Sequence, residues 1–498
     1  MTPVSESPVL RCHPADSVAV ALADIAVGAT VSLDDQEIVV REAVAAGHKL
    51  ALRHHARGEA VIKYGEAIGR ATADIDPGTH VHSHNLATAL EGEVEYRERL
   101  SEPDGRSSAP LGQWRGYRRP DGRWATRNEI WVLPTVGCVA PLAEDVAREA
   151  AARHRGVVDG VHGFAHPHGC SQLGDDLAGT RRLLAGLCDN PNAGGVLLIG
   201  LGCESNQLDA LLAEVPERSR GKIRTLRAQE MPDERQAALD LIDELVAGCA
   251  GAHRETAEAA ELVVGLKCGG SDALSGVTAN PLLGRFSDRL AASGGSVVLT
   301  EIPEIFGAEN ALLARSVSAD VHRDAGDLLN RFKRYFLEQG QPVSENPSPG
   351  NIAGGITTLE EKSLGAVQKA GKSALAGVLD YGEQASIPGL SLLEAPGNDA
   401  VSSTALAAAG ATMIVFTTGR GTPLGFPVPT VKVASNTILA TLKSHWIDFD
   451  AGRLLSEPEP GVVEDFCRTM LGIAGGVATA SERGGHRVIA IWKRGVTL

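Results

Sequence analysis

Aromatic residues are scarce in this chain: nine Phe, five Trp and five Tyr make up 4% of 498 residues, against 57 glycines. That balance favours sheets joined by tight turns over a helical bundle. Positive charge is also short, since 47 Lys and Arg face 62 Asp and Glu for a net charge of −15. With no basic stripe to offset it, nucleic acid and anionic membrane are poor partners. An anionic substrate would need local arginines or a metal to draw it in. No apolar run approaches membrane-spanning length. The first residues lack a basic segment followed by a long apolar core, so no secretory signal is expected. Eight cysteines are too few for a disulfide scaffold, and a cytoplasmic location is expected.

Several catalytic signatures are missing too. Gly371-Lys372-Ser373 ends like a phosphate-binding loop, but Ala366 stands where its first glycine is required. No Gly-x-Gly-x-x-Gly follows a strand near the start of an α/β unit, so dinucleotide binding has no support. Gly-x-Ser-x-Gly and His-Glu-x-x-His do not occur, which weakens serine-hydrolase and zinc-protease readings.

The remaining composition, 43% hydrophobic and 22% charged, is ordinary for a globular protein, and the length predicts two to four domains. Residues 1–95 read as a small β-rich module, with candidate strands at Ser17–Leu22, Glu37–Val40, Ala60–Gly65 and Thr79–His82 between glycine turns. Residues 96–125, with Glu102-Pro103-Asp104-Gly105 and Arg119-Pro120-Asp121-Gly122, read as a linker or an ordered strap. From 126 to 498 strands alternate with helices, including Leu142–Arg153, Leu177–Leu187, Glu234–Val246 and Asp327–Gln339. This predicts a large α/β region with mainly parallel sheet, divisible into two or three subdomains.

Four apolar strands run into glycine-rich or polar turns, ending at Gly137-Cys138, Gly202-Cys203, Lys267-Cys268 and Thr418-Gly419-Arg420-Gly421. Open α/β sheets put their chemistry just past the carboxyl ends of strands. Cys138, Cys203 and Cys268 sit there, with Cys170 a fourth candidate in His166-Pro167-His168-Gly169-Cys170. Core packing would put cysteine within a strand, whereas thiolates at turns suit a soft metal. Three such thiolates would hold a [4Fe-4S] cluster with one open iron, and a single ferrous ion bound by fewer is the competing arrangement. In His80-Val81-His82-Ser83-His84 a strand would turn three imidazoles to one face, either to chelate or as a solvated edge. Polar turns at Arg127-Asn128, Ser271-Asp272, Asn398-Asp399 and Arg420 could clamp a carboxylate or form an anion nest, against their commoner use as turn formers. Gly354-Gly355 leads into a helix start with Thr358 and Glu361 spaced for a capping box.

Longer runs carry a resemblance. They include Val61-Ile62-Lys63-Tyr64-Gly65, Val81-His82-Ser83-His84-Asn85, Leu133-Pro134-Thr135-Val136-Gly137-Cys138 and Gly169-Cys170-Ser171-Gln172-Leu173-Gly174-Asp175-Asp176. Gly200-Leu201-Gly202-Cys203-Glu204, Cys268-Gly269-Gly270-Ser271-Asp272, Thr300-Glu301-Ile302-Pro303-Glu304 and Glu394-Ala395-Pro396-Gly397-Asn398-Asp399 follow, then Thr418–Pro423 and His445–Gly452. In these the chain resembles the altronate/galactarate dehydratase family over nearly its whole length, the altronate branch better than the galactarate branch. The resemblance implies a small SAF-type amino-terminal domain and iron-dependent removal of water from a small-molecule sugar acid. The implied reaction is D-altronate to 2-dehydro-3-deoxy-D-gluconate, in hexuronate breakdown. Galactarate dehydratase and a sulfolactate-type lyase are the alternative activities, and a substrate-binding protein without catalysis is the alternative of another class.

On this resemblance, iron is expected at Cys138, Cys203 and Cys268 with Cys170 close by, and His166 as general base or acid, with Glu301 and Asp272 as further proton carriers. Arg127 and Arg420 would clamp the carboxylate, while Asn128, Ser271, Asn398 and Asp399 would bind hydroxyls. His82 and His84 would hold a metal in the small domain or reach over the substrate as a lid. His168 stands where some relatives have tyrosine, which weakens it as a catalytic group. The reading leaves room for a homo-oligomer.

Overall fold

The unbroken apolar runs become interior strands of two separate parallel sheets. A computed structural model describes residues 7–34, 36–98, 100 and 109–498. In the first sheet, β1 (Glu129–Pro134), β2 (Gly160–Gly163), β3 (Ala193–Gly200) and β4 (Ile223–Arg227) lie in the order β2-β1-β3-β4, every pair parallel. Along β1, Ile130 and Val132 share a core with Val146 of α1 (Ala140–Arg153) and with Leu239 and Ile242 of α3 (Glu234–Cys249). Trp131 and Leu133 join the opposite core with Leu183 and Leu187 of α2 (Gly174–Asp189). Helices cover both faces, so the strand has no polar side and its sequence does not alternate.

The second sheet holds β5 (Val263–Cys268), β6 (Ser296–Leu299), β7 (Leu375–Leu379), β8 (Gly389–Leu393), β9 (Met413–Thr418), β10 (Thr430–Ala434) and β11 (Phe449–Asp450). Its order is β7-β8-β6-β5-β9-β10-β11, again all parallel. Helices α4 (Ala279–Ala292), α5 (Ala319–Glu338), α6 (Leu359–Ala366) and α7 (Asp399–Ala408) accompany it. The two sheets are joined where α2 crosses α7. A Cβ at Gly186 would stand 2.5 Å from the Ala408 carbonyl oxygen, so only glycine lets these helices approach so closely.

Each sheet has one place where the chain leaves a strand on one side and returns on the other. In the first sheet this switch falls between β1 and β3, and in the second between β5 and β9. Crevices for ligands open at such points.

The amino-terminal domain is antiparallel throughout, with Val9–Leu10, Val18–Ala21, Lys49–Ala51 and His80–Val81 in one sheet and Ala60–Lys63, Glu66–Ala71 and Leu86–Ala87 in another. Within the 96–125 stretch, Trp114–Arg118 is a strand paired with Trp124–Ala125 and Arg254–Ala257. The Trp114 indole donates to the Glu258 carbonyl at 3.0 Å, so this part is tied to the body. The turn Glu102-Pro103-Asp104-Gly105 lies outside the described residues.

The amino-terminal domain docks on the second sheet's side through buried charge. Glu361 on α6 accepts from Lys49 Nζ at 2.8 Å, Lys63 Nζ at 2.7 Å and the Thr357 amide at 2.9 Å. Lys49 Nζ also donates to the Gly355 carbonyl and to Thr357 Oγ1. Buried ions cost several kcal/mol each unless such bonds are complete, as they are for Glu361. No helix among the described residues is long and apolar enough to cross a membrane.

Candidate active-site crevice

The loops after β5 and β9 meet over the second sheet's switch point. Asp272 accepts from the Ser275 amide and hydroxyl at 2.8 and 2.9 Å, Ser435 Oγ at 2.8 Å and Asn436 Nδ2 at 3.1 Å. Four donors fill its lone pairs, which suits a structural clasp better than the proton carrier expected. Ser271 is buried; its hydroxyl donates to Cys268 Sγ and its carbonyl accepts from Asn351. Arg420 is exposed and anchored by one bond, Nη1 to the Gly350 carbonyl at 2.8 Å. Asn398 caps α7, its side chain accepting from the Ala400 and Val401 amides, so the turn-forming use of that residue prevails.

Beneath the crevice lies a closed charge network. Lys267 pairs with Glu301 and with Asp399 Oδ1 at 2.8 Å, and Glu301 Oε2 also takes the Cys268 amide at 2.9 Å and Lys369 Nζ at 3.2 Å. Lys362 Nζ is 2.9 Å from Glu304 Oε1, and the Cys268 thiol donates to Glu304 Oε2 at 3.0 Å. Burial opposes ionisation of Glu304, but Lys362, Lys369 and Lys267 hold it down at about 2. Burial first, and then the charge of Glu304, raises Glu301. Glu301 also has φ +68, a left-handed backbone that a non-glycine residue adopts only when its surroundings enforce it. Of the three carboxylates only Asp399 is partly open, its side chain 39% accessible.

Cys268, Glu301 and Glu304 offer donor atoms within 4.8 Å of one another. They do not fit a metal. Three lysines already balance the carboxylates, and the Cys268 thiol is spent on Glu304 Oε2, with burial and then Glu304 pushing it up to about 12. The expected convergence of Cys138, Cys203 and Cys268 on one iron is therefore corrected. Cys138 and Cys203 are exposed at the rim of the first sheet with Cys170, whereas Cys268 is sealed under the rim of the second.

Imidazoles of the amino-terminal domain roof the crevice. His48 Nδ1 is 3.0 Å from His80 Nε2, and the rings of His48, His80, His82 and His84 lie 5.0–5.5 Å apart in neighbouring pairs. His82 Nε2 bonds the Ile352 carbonyl at 3.1 Å, which ties the roof to the segment that holds Arg420 and Ser271. The strand ends at Val81, so a turn over 82–85, and not strand alternation, gathers these rings. Burial, then the neighbouring His48, His82 and His84, lowers His80 to about 4. Glu42, His80 and His84 bring one donor atom each within 4.8 Å. Two imidazoles and a carboxylate are the ligand set of non-haem ferrous iron, so this group fits the implied metal. The pair expected from sequence is split: His84 belongs to the donor group, His82 to the tether.

Three further expectations are corrected. His166 is 3% exposed and both ring nitrogens are engaged, Nε2 with the Pro134 carbonyl at 2.8 Å and Nδ1 with the His168 amide at 3.2 Å. Burial lowers it to about 4, and it braces a loop instead of moving a proton. Arg127 and Asn128 precede β1, at the opposite end of the first sheet from its rim. Arg127 makes a two-pronged pair with Glu482 at 2.7 and 3.0 Å, and Asn128 accepts from Arg119 at 2.8 Å. Both are buried struts between chain segments.

Sequence reasoning missed Lys267, Lys362, Lys369, Glu304, His48 and Glu42. Lys267 carried a readable signal, a charge inside the apolar run Leu262–Cys268. The others are brought in from distant segments, and no local pattern marks them.

Family models match three stretches: the altronate/galactarate dehydratase SAF domain over 7–89, the D-galactarate dehydratase/altronate hydrolase second domain over 116–250, and the D-galactarate/altronate dehydratase C-terminal region over 259–497. The chain is 48% identical to altronate dehydratase of Escherichia coli (strain K12), over 98% of this chain and 99% of that protein. It is 45% identical to altronate dehydratase of Bacillus subtilis (strain 168), over 98% and 99%. With galactarate dehydratase (L-threo-forming) of Escherichia coli (strain K12) it shares 33% over 90% and 89%. The crevice is thus framed by two regions that each match a model of the same lineage, and the chain belongs to the altronate/galactarate dehydratase family.

Proposed function

We propose that this protein is an iron-dependent hydro-lyase that converts D-altronate to 2-dehydro-3-deoxy-D-gluconate and water in cytoplasmic hexuronate breakdown. The observation that carries this reading is the β5/β9 crevice, roofed by clustered imidazoles and floored by balanced charge, in a chain nearly half identical to two altronate dehydratases. Iron bound at Glu42, His80 and His84 would supply Lewis acidity to the oxygens of the substrate. Proton transfer alone gives roughly 10²–10⁴-fold, well short of usual enzymatic accelerations.

The chain's own residues divide the remaining work. Arg420 has one N–H spent on Gly350 and a fork left for the substrate carboxylate. Asp399, partly open and held by Lys267, takes the C2 proton and returns it to the hydroxyl leaving C3; water departs and the enol becomes the ketone. Burial pulls Lys267 down, but Glu301 and then Asp399 outweigh it and raise Lys267 well above its ordinary range, so it stays an ammonium beside Asp399.

The test is keto-acid formation by anaerobically purified protein on altronate, galactarate and sulfolactate, compared as kcat/KM. Hydroxyl-reading pockets discriminate strongly, so altronate should lead by orders of magnitude. Preference for galactarate would reassign the substrate, and no turnover of any acid would point to a binding protein.

A further inference from the structure

The exposed cysteines of this chain all stand on one rim. Of its eight cysteines, Cys138, Cys170 and Cys203 are exposed, Cys12 is half-buried, and Cys188, Cys249, Cys268 and Cys467 are buried. Cysteine is among the residue types most often buried, so packing does not account for three exposed ones together. Each directly follows a glycine, and each lies beyond the carboxyl end of one strand: Cys138 after β1, Cys170 after β2, Cys203 after β3. β1 and β3 border the first sheet's switch point, where ligand crevices form.

The three loops are braced as one frame. The Gly137 amide donates to the His168 carbonyl at 2.9 Å, and the Asn206 amide to the Gly169 carbonyl at 2.9 Å. Asn206 Nδ2 donates to the Thr135 carbonyl at 3.1 Å, and Thr135 Oγ1 to Glu204 Oε1 at 2.6 Å. Gly169 has φ +101, and a Cβ there would stand 2.1 Å from the Thr135 carbonyl oxygen. Ser171, next to Cys170, holds φ +58 without being glycine. Backbone held this way clusters where a site must be pre-shaped.

We propose that Cys138, Cys170 and Cys203 bind an iron–sulfur cluster that leaves one iron without a protein ligand. A single tetrahedral metal, with metal–sulfur bonds of ~2.3 Å, would draw three sulfurs within ~4 Å of each other. These three do not all come within 4.8 Å, whereas a cluster spreads its thiolates over separate irons. The acidic and imidazole side chains beside these cysteines are already engaged. Glu204 is spent on Thr135 and the Gly202 amide, His166 on Pro134 and the His168 amide, and His168 on the Ile491 backbone. This centre stands on the other sheet from β5 and β9 and does not depend on which acid is the substrate.

The experiment uses the full chain, purified without oxygen and supplied with ferrous iron and sulfide. Iron, acid-labile sulfide and Mössbauer spectra are compared for wild type, Cys138→Ser, Cys170→Ser, Cys203→Ser and Cys268→Ser. Wild type and Cys268→Ser should carry ~4 sulfides per chain and a cluster spectrum, and each rim variant should lose most of its sulfide. Mapping alkylated thiols in wild type covers the case of a variant that misfolds: the three rim thiols should be protected after loading and reactive before it. Absence of sulfide in wild type, zinc alone, equal sulfide in the rim variants, or rim thiols that stay reactive after loading would each overturn the proposal. Turnover is not read, so a failed substrate assignment would leave this result intact.

Discussion

At the carboxyl end of β1, Cys138 follows a glycine and is exposed; at the carboxyl end of β5, Cys268 follows Lys267 and is buried against Glu304. The local device is the same, an apolar parallel strand released into a turn. What differs is the cover. The first sheet's rim is left open, whereas the second sheet's rim is closed from above by the amino-terminal domain and by the 346–357 segment. An open rim leaves thiols in water, within reach of metal. A closed rim makes a thiolate costly, and lysine–carboxylate pairs replace it. One motif thus yields a sulfur-lined rim in one sheet and a charge-balanced floor in the other.

Four changes would break or sharpen that contrast. The largest effect is expected from Asp399→Asn, the one carboxylate of the floor open to the crevice. It should lower kcat by roughly 10²–10⁴-fold with little change in unfolding midpoint, measured by keto-acid assay and thermal melt. Removal of the cover should come next. Glu361→Ala strands Lys49 and Lys63 without a counter-charge in the interior, and should cost about 3–5 kcal/mol. The readout is a lowered denaturation midpoint, together with earlier proteolytic release of the amino-terminal domain.

The same contact predicts an acid limit. Although burial opposes it, Lys49 and Lys63 depress Glu361 to about 2, below its ordinary ~4.3. A depressed carboxylate stabilises the fold fully above its unfolded pKa, so that share, on the order of 3 kcal/mol, is lost as pH falls from ~4.3 towards 2. Glu361→Gln should flatten the midpoint against pH in that window, and an unchanged slope would refute the assignment. The smallest effect is expected from Cys268→Ser. It keeps a donor to Glu304 and should leave bound iron at the wild-type level. A loss of iron in that variant would restore Cys268 to the metal and undo the contrast between rims.

How much of this was legible beforehand differs by region. The parallel strands were plain, because burial on both faces removes polar residues from Ile130–Leu133 and from Val196–Ile199 alike. The turns after them were plain too, since glycine and cysteine at strand ends are local signals. Residue roles were much less readable. His166 reads as a catalytic imidazole until both nitrogens are seen to be taken by backbone, and Arg127 reads as a carboxylate clamp until Glu482, 355 positions later, takes its fork. Such partners leave no trace in local spacing.

By itself the sequence determined the strands, the turns that follow them, the antiparallel amino-terminal module and the family, because backbone propensity, hydrophobic pattern and long motif runs are all properties of neighbouring residues. Only the tertiary structure decided which cysteines face water, which carboxylate opens to the crevice and which histidines gather with Glu42. Those properties depend on burial and on charges brought from far along the chain, and solvation is settled only when the domains close on one another.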